Sequence, residues 1–154
     1  MRSLTHSGWL NFRMRAMLVS FACYDLWLDW RPLAPVLARR FLDYEPGIHY
    51  PQLQMQAGTT GMNANRIYSA TKQASAPPSS AQRKSVTVYQ AEDHAGPDYV
   101  FIRRWVPELS RVPARYMSEP HTMPPDVQRS SGCVIGTHYP PPIVDRAASY
   151  LHAR

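Results

Sequence analysis

Apolar positions crowd the stretch from Trp9 to Trp30, within "GWLNFRMRAMLVSFACYDLWLDW", more densely than anywhere else in the chain. Neither Gly nor Pro interrupts it, Ala, Leu, Met and Arg are plentiful, and Pro32 follows. The pattern predicts one helix of about six turns. Apolar residues fall on nearly every face of such a helix, which places it at the centre of a bundle. Arg13 and Arg15 near its start, and Asp25 and Asp29 near its end, then require partners.

A second helix is predicted from Leu33 to Leu42, where Leu33, Val36, Leu37, Phe41 and Leu42 form a broad stripe and Pro35 suits the first turn. "DYEPGIHYPQLQMQAGTTGMNANRIY" shows Pro-Gly and Tyr-Pro punctuation without a sustained period, and reads as a long ordered loop with short helical turns. "ATKQASAPPSSAQR", from Ala70, has the composition of a flexible surface insertion, and "KSVTVYQ" that of a short strand. "DYVFIRRWVPELSRVP" is helical and bounded by Pro107 and Pro113. The proline-rich "SEPHTMPPDVQRSSGCVIGTHYPPPIVD" is expected to run extended over the surface, before a last short helix from Ile143 to Leu151. The fold class expected is all-α, with long ordered loops and an extended tail.

At 154 residues the chain suits one domain with a single core. A net charge of +6 favours an anionic partner such as nucleic acid or a phosphate-bearing ligand, although scattered arginines also suit an ordinary solvated surface. Cys23 and Cys133 show neither C-x-x-C nor metal-like spacing to the histidines, so neither a disulfide framework nor a metal site is indicated, and a reducing, cytoplasmic setting fits. The apolar run near the N-terminus is too short to span a bilayer and has no small-x-small cleavage site, against a membrane span or a secretory signal. Phosphate-loop, dinucleotide, zinc-protease and serine-hydrolase signatures are absent. Glu119 and Asp126 read as solvated loop residues rather than an acid pair.

The pieces "GWLNFRMRAMLVSF", "LWLDWR", "FLDYEPGIHYPQLQMQAGTTG", "RIY", "FIRRWVPEL", "EP" and "YPPPIVD", in that order, resemble the carboxyl-terminal part of the flavin-binding domain of the cryptochrome and DNA photolyase family. The resemblance implies a helical fold holding FAD in a bent form, its ring at the bottom of a cavity that admits a flipped DNA lesion. The implied activity is carbon-carbon lyase repair of DNA containing pyrimidine dimers, or blue-light signalling. It also implies that Met1 falls mid-domain, that the missing amino-terminal half is a further partner, and that this chain by itself holds FAD weakly.

Residue by residue, Arg15 matches an arginine that pairs with the aspartate at Asp43 beside the flavin ring. A fixed cation there favours the reduced, negatively charged flavin. Asp43, Tyr44 and Glu45 match the flavin-contacting loop, and Trp9 a tryptophan lining the cavity. His49 matches a polar residue facing flavin N5, the alternative being a loop histidine bonded to backbone. Phe12, Arg13 and Arg66 match positions on the DNA side, where arginines contact phosphate; for Arg13 an intramolecular salt bridge is the alternative. Trp30 matches a tryptophan of the electron-transfer chain, and Trp27, three residues away, is equally explained by core packing.

The sequence departs from the family pattern at Leu53, where many members carry the flavin-proximal tryptophan, at Ser69 and Ala70 after "RIY", and at His121 after "EP". Leucine cannot be oxidised in the tryptophan's role, which leaves Tyr50 or Tyr68 as substitutes. Beside the flavoprotein reading stands a second one, a non-catalytic basic helical remnant or nucleic-acid-binding module without flavin. A secreted helical protein is the third.

Overall fold

The computed structural model describes residues 1–62, 67–68 and 99–152. Arg66, the expected insertion at about 70–98 and the expected strand within it lie outside the described residues. The chain divides into one unit of residues 1–69 with 144–154, and another of residues 70–143. Where the length suited a single core, the described residues form two, one in each unit.

In the first unit the expected long helix from Trp9 to Trp30 is broken into separate pieces. α1 (Arg2–Ser7) ends at Gly8, whose left-handed backbone (φ +69°) lets its N–H reach the Leu4 carbonyl. α2 (Phe12–Ser20) starts on Asn11, whose side chain accepts from the Met14 N–H at 3.1 Å. It widens into a π-helical turn, Phe21–Asp25, and stops. Trp27 takes φ +56°, and Leu28 N–H bonds back to the Ala22 carbonyl.

Asp29 then caps α3 (Trp30–Ala38) by accepting from the Arg31 N–H at 2.9 Å. Pro32 therefore does not end a helix. It sits in the first turn of one, where its missing N–H has no intrahelical acceptor to lose.

The region from Asp43 read as loop contains α4 (Pro46–Gln56), with Pro46 at its first position and Pro51 inside it. Its buried residues are His49, Leu53 and Gln56, a helical spacing. Two of these three are polar, so the hydrophobic pattern conceals the stripe. Leu4, Leu10, Val19, Ala34, Leu37, Phe41 and Leu53 form the core, with α4 packed on α2 and α3. A short helix over Arg146–His152 follows the expected Ile143–Leu151 segment closely and packs on the π-helical turn.

In the second unit α5 (Val100–Trp105) and a 3₁₀ turn, Pro107–Leu109, match the expected helical segment. The tail is not simply extended. Its prolines open a 3₁₀ turn, Pro120–Thr122, and α6 (Pro125–Ser131), because a fixed φ at a first helical position favours the helix. Gln128 ties this segment together, donating to the Met123 carbonyl at 2.8 Å and accepting from the Ile135 N–H at 2.9 Å. The core here is Leu109, Val112, Met117, Met123 and Cys133. No strand occurs among the described residues, only an isolated bridge between Ile135 and Tyr139.

Candidate functional site

Arg15, one turn into α2, reaches across to the turn that follows α3. Its Nη2 donates to Asp43 Oδ1 at 3.0 Å and Oδ2 at 2.8 Å, and its Nε donates to the Leu10 carbonyl at 2.6 Å. The guanidinium carbon lies 4.2 Å from the centroid of the Phe41 ring. One cation is thus held by a carboxylate, a carbonyl and an aromatic face, an orientation that a flexible ammonium would not keep.

Beside this group α2, α3 and α4 line a partly open cavity of about 140 Å³. Phe12, Arg15, Phe41, His49 and Leu53 are among its lining residues, and most of its wall is apolar. Gln52 and Gln56 line it as well. Gln56 is 4% exposed, and neither its Oε1 nor its Nε2 has a hydrogen-bond partner; Gln52 Oε1 has none either. A carboxamide buried against an apolar wall without a partner is costly, and such groups commonly mark a ligand or an ordered water.

His49 is buried, with Nε2 at 2.9 Å from the Ala34 carbonyl. A carbonyl oxygen only accepts, so Nε2 carries the proton and donates, pinning α4 to α3. Tyr44, Tyr50 and Phe41 surround the imidazole edge-on, with centroids 5.2, 5.3 and 6.1 Å away. The Tyr44 phenol is pushed up from its ordinary value, first by its hydrogen bond with Tyr50 and then by desolvation. His49 thus makes the backbone bond that was one of the alternatives read for it, from a helix rather than a loop, and it also lines the cavity.

The remaining expected site residues are dispersed. Trp9 is 45% exposed between α1 and α2, and is not among the residues lining the cavity. Phe12 is exposed and lines the cavity. Arg13 is exposed and makes no ion pair or hydrogen bond among the described residues, so the salt bridge weighed for it is not formed there. Glu45 precedes α4, its carboxylate folded over Gly47. Trp30 opens α3, half-buried against the core and away from the cavity lining. Leu53 is a core residue of the cavity wall.

Sequence reasoning missed Gln52 and Gln56. The signal was present: His49, Gln52, Leu53 and Gln56 follow the i, i+3, i+4, i+7 spacing of one helix face. Further along, Asp29 is held below its ordinary value, chiefly by the hydrogen bond from the Arg31 backbone. Burial pushes the Cys23 thiol up, and Asp29 adds to the effect. Among the described residues no cluster of three or more metal-ligating side chains occurs, and no helix is long and apolar enough to cross a membrane.

A pinned guanidinium at the edge of a largely apolar cavity suits a ligand with an apolar body and a polar edge. The chain matches, over residues 1–154, the family described as the FAD binding domain of DNA photolyase, and it belongs to that family. The deoxyribodipyrimidine photo-lyase of Alkalihalophilus pseudofirmus is 32% identical over 149 residues, covering 96% of this chain and 27% of the relative. The cryptochrome-1 of Aedes aegypti is 28% identical over 152 residues, covering 97% and 25%.

Among solved structures, a Synechocystis cryptochrome superposes with TM-score 0.79 at 26% identity, covering all of this chain and 28% of the other. A class III photolyase from Agrobacterium tumefaciens superposes with TM-score 0.75 at 25% identity, covering 99% and 28%. The chain thus spans about a quarter of the length of the curated relatives it matches.

Proposed function

We propose that the first unit supplies one wall of an FAD site in a flavoprotein that uses blue light for DNA repair or signalling. The observation that carries the reading is the Arg15 guanidinium, fixed by Asp43, Leu10 and Phe41 at the edge of the apolar cavity. The reading is supported by a largely apolar wall and by one cation held in a fixed orientation. Bound FAD would supply light absorption and electron transfer.

In this reading Arg15 favours negative charge on the ligand, while Asp43 keeps the cation in place. Tyr44, Glu45 and Trp9 would contact the ligand from the loop side, and His49 lines the cavity. Trp30 would relay electrons toward the surface. Phe12 and Arg13, exposed on the first turn of α2, would face DNA carrying pyrimidine dimers, with Arg66 as a further phosphate contact. The chain would correspond to part of a helical flavin domain acting in the cytoplasm with the rest of that domain.

The test is a titration of the ¹⁵N-labelled chain with FAD, following Arg15 Nε and the amides of Ala16 and Leu53. Saturable shifts confined to this cavity are expected, even at low affinity. Unchanged spectra up to millimolar FAD would overturn the reading. A second reading, nucleic-acid binding without flavin, is favoured by the unpaired exposed cation of Arg13 and the net charge of +6. DNA-induced shifts at Arg13 without any FAD response would select it.

A further inference from the structure

We infer that the run Tyr-Pro-Pro-Pro-Ile at residues 139–143 is a docking segment for a partner protein that reads a polyproline II strand in an aromatic-lined groove. It does not depend on the flavin reading. A proline ring fixes φ at about −65°. A residue followed by proline is pushed to an extended ψ. Pro140 and Pro141 are under both constraints and Pro142 under the first. No cis peptide bond occurs among the described residues, and residues 140–142 belong to no helix or bridge. Covalent structure therefore builds in one turn of polyproline II, at three residues per turn.

These prolines do nothing that the others do. Pro46, Pro107, Pro120 and Pro125 each open a helical turn. Pro140, Pro141 and Pro142 open none and enter neither core. All three are exposed, and Ile143 after them is 74% exposed. Their carbonyls accept no hydrogen bond among the described residues. Tyr139 anchors the near end, half-buried against the second core, with its carbonyl accepting from the Gly136 N–H at 2.8 Å.

A rigid apolar ridge with open acceptors thus leaves an anchored residue. Its complement is a groove of aromatic rings, whose flat faces take the proline rings and whose N–H or O–H donors reach the carbonyls. Because the ridge is already ordered, docking loses little conformational entropy. The run carries no charge, which sets it apart from the arginines proposed to face phosphate. A stiff spacer would use the same prolines, so the test must separate recognition from stiffness.

The test uses the full ¹⁵N-labelled chain with three unlabelled probes that read polyproline II: a WW domain, an SH3 domain and an EVH1 domain. Saturable shifts of the Tyr139 and Ile143 amides are expected with at least one probe. The same probe with its groove tryptophan replaced by alanine should give none. Pro140→Ala combined with Pro141→Ala should weaken binding about tenfold or more, through lost preorganisation and lost ring contact. The amides of Leu109 and Val112 should stay in place in that variant, which shows that the core beside the run is intact. If no probe moves Tyr139 or Ile143 at millimolar concentration, the run is a spacer and the inference is overturned. Binding that survives the double substitution, or the groove substitution, overturns it as well.

Discussion

Arg15 and Gln56 represent opposite solutions to placing a polar group beside an apolar cavity. Arg15 is satisfied three ways, yet its side chain is 28% and that of Asp43 53% exposed, so solvent screens the ion pair. Asp43→Asn is expected to cost no more than about 1 kcal/mol in urea denaturation. Arg15→Ala also removes the bond to Leu10 and the contact with Phe41, and should cost about 2 kcal/mol. Arg15→Lys should not recover the loss, because an ammonium cannot reproduce the planar fork. Gln56→Leu should move the other way, raising stability by about 1–3 kcal/mol without ligand, since it removes two buried unsatisfied atoms. The partner of Arg15 was legible only through resemblance, because no local rule links positions so far apart in the chain. Gln56 looked like an ordinary polar residue, and its burial depends on what α2 brings opposite it.

At the scale of elements, the break between α2 and α3 is held by a non-glycine residue in the left-handed region. Trp27, at φ +56° and 60% exposed, has little packing to lose, and Trp27→Gly should raise the melting temperature by relieving a strain of about 1 kcal/mol. Gly8 is the converse. A Cβ there would collide with the Leu42 side chain at φ +69°, so Gly8→Ala should destabilise by about 2 kcal/mol or more. The start of α3 carries a pH dependence. The carboxylate of Asp29 is held below its ordinary 3.8, so its stabilising contribution is complete above that value and disappears as pH falls through the lowered one. The Arg31 amide shift should therefore titrate with a midpoint below 3.8. The caps Asn11 and Asp29 were readable in the sequence as helix starts, but an unbroken apolar run outweighed them in a reading by pattern alone.

Across the whole molecule, the two cores are unlike in construction. The first is layered from helices that surround a cavity, whereas the second gathers short turns around Met117, Met123 and Cys133. If Arg13, which has no ion-pair partner among the described residues, faces DNA as proposed, binding should be salt-sensitive. Arg13→Ala should reduce the slope of log affinity against log salt by about one, measured by fluorescence anisotropy. An unchanged slope would place DNA elsewhere on the surface.

The sequence by itself determined the helical class and the family, because ordered motifs are carried by neighbouring residues; of the stripe it predicted, Leu37 and Phe41 are buried whereas Val36 and Leu42, the latter beyond the end of α3, are exposed. The tertiary structure alone decided where the long apolar run breaks, that α4 exists, and that its polar face turns inward. Whether a glutamine meets water or a cavity depends on the element packed opposite it, and no stretch of chain states that locally.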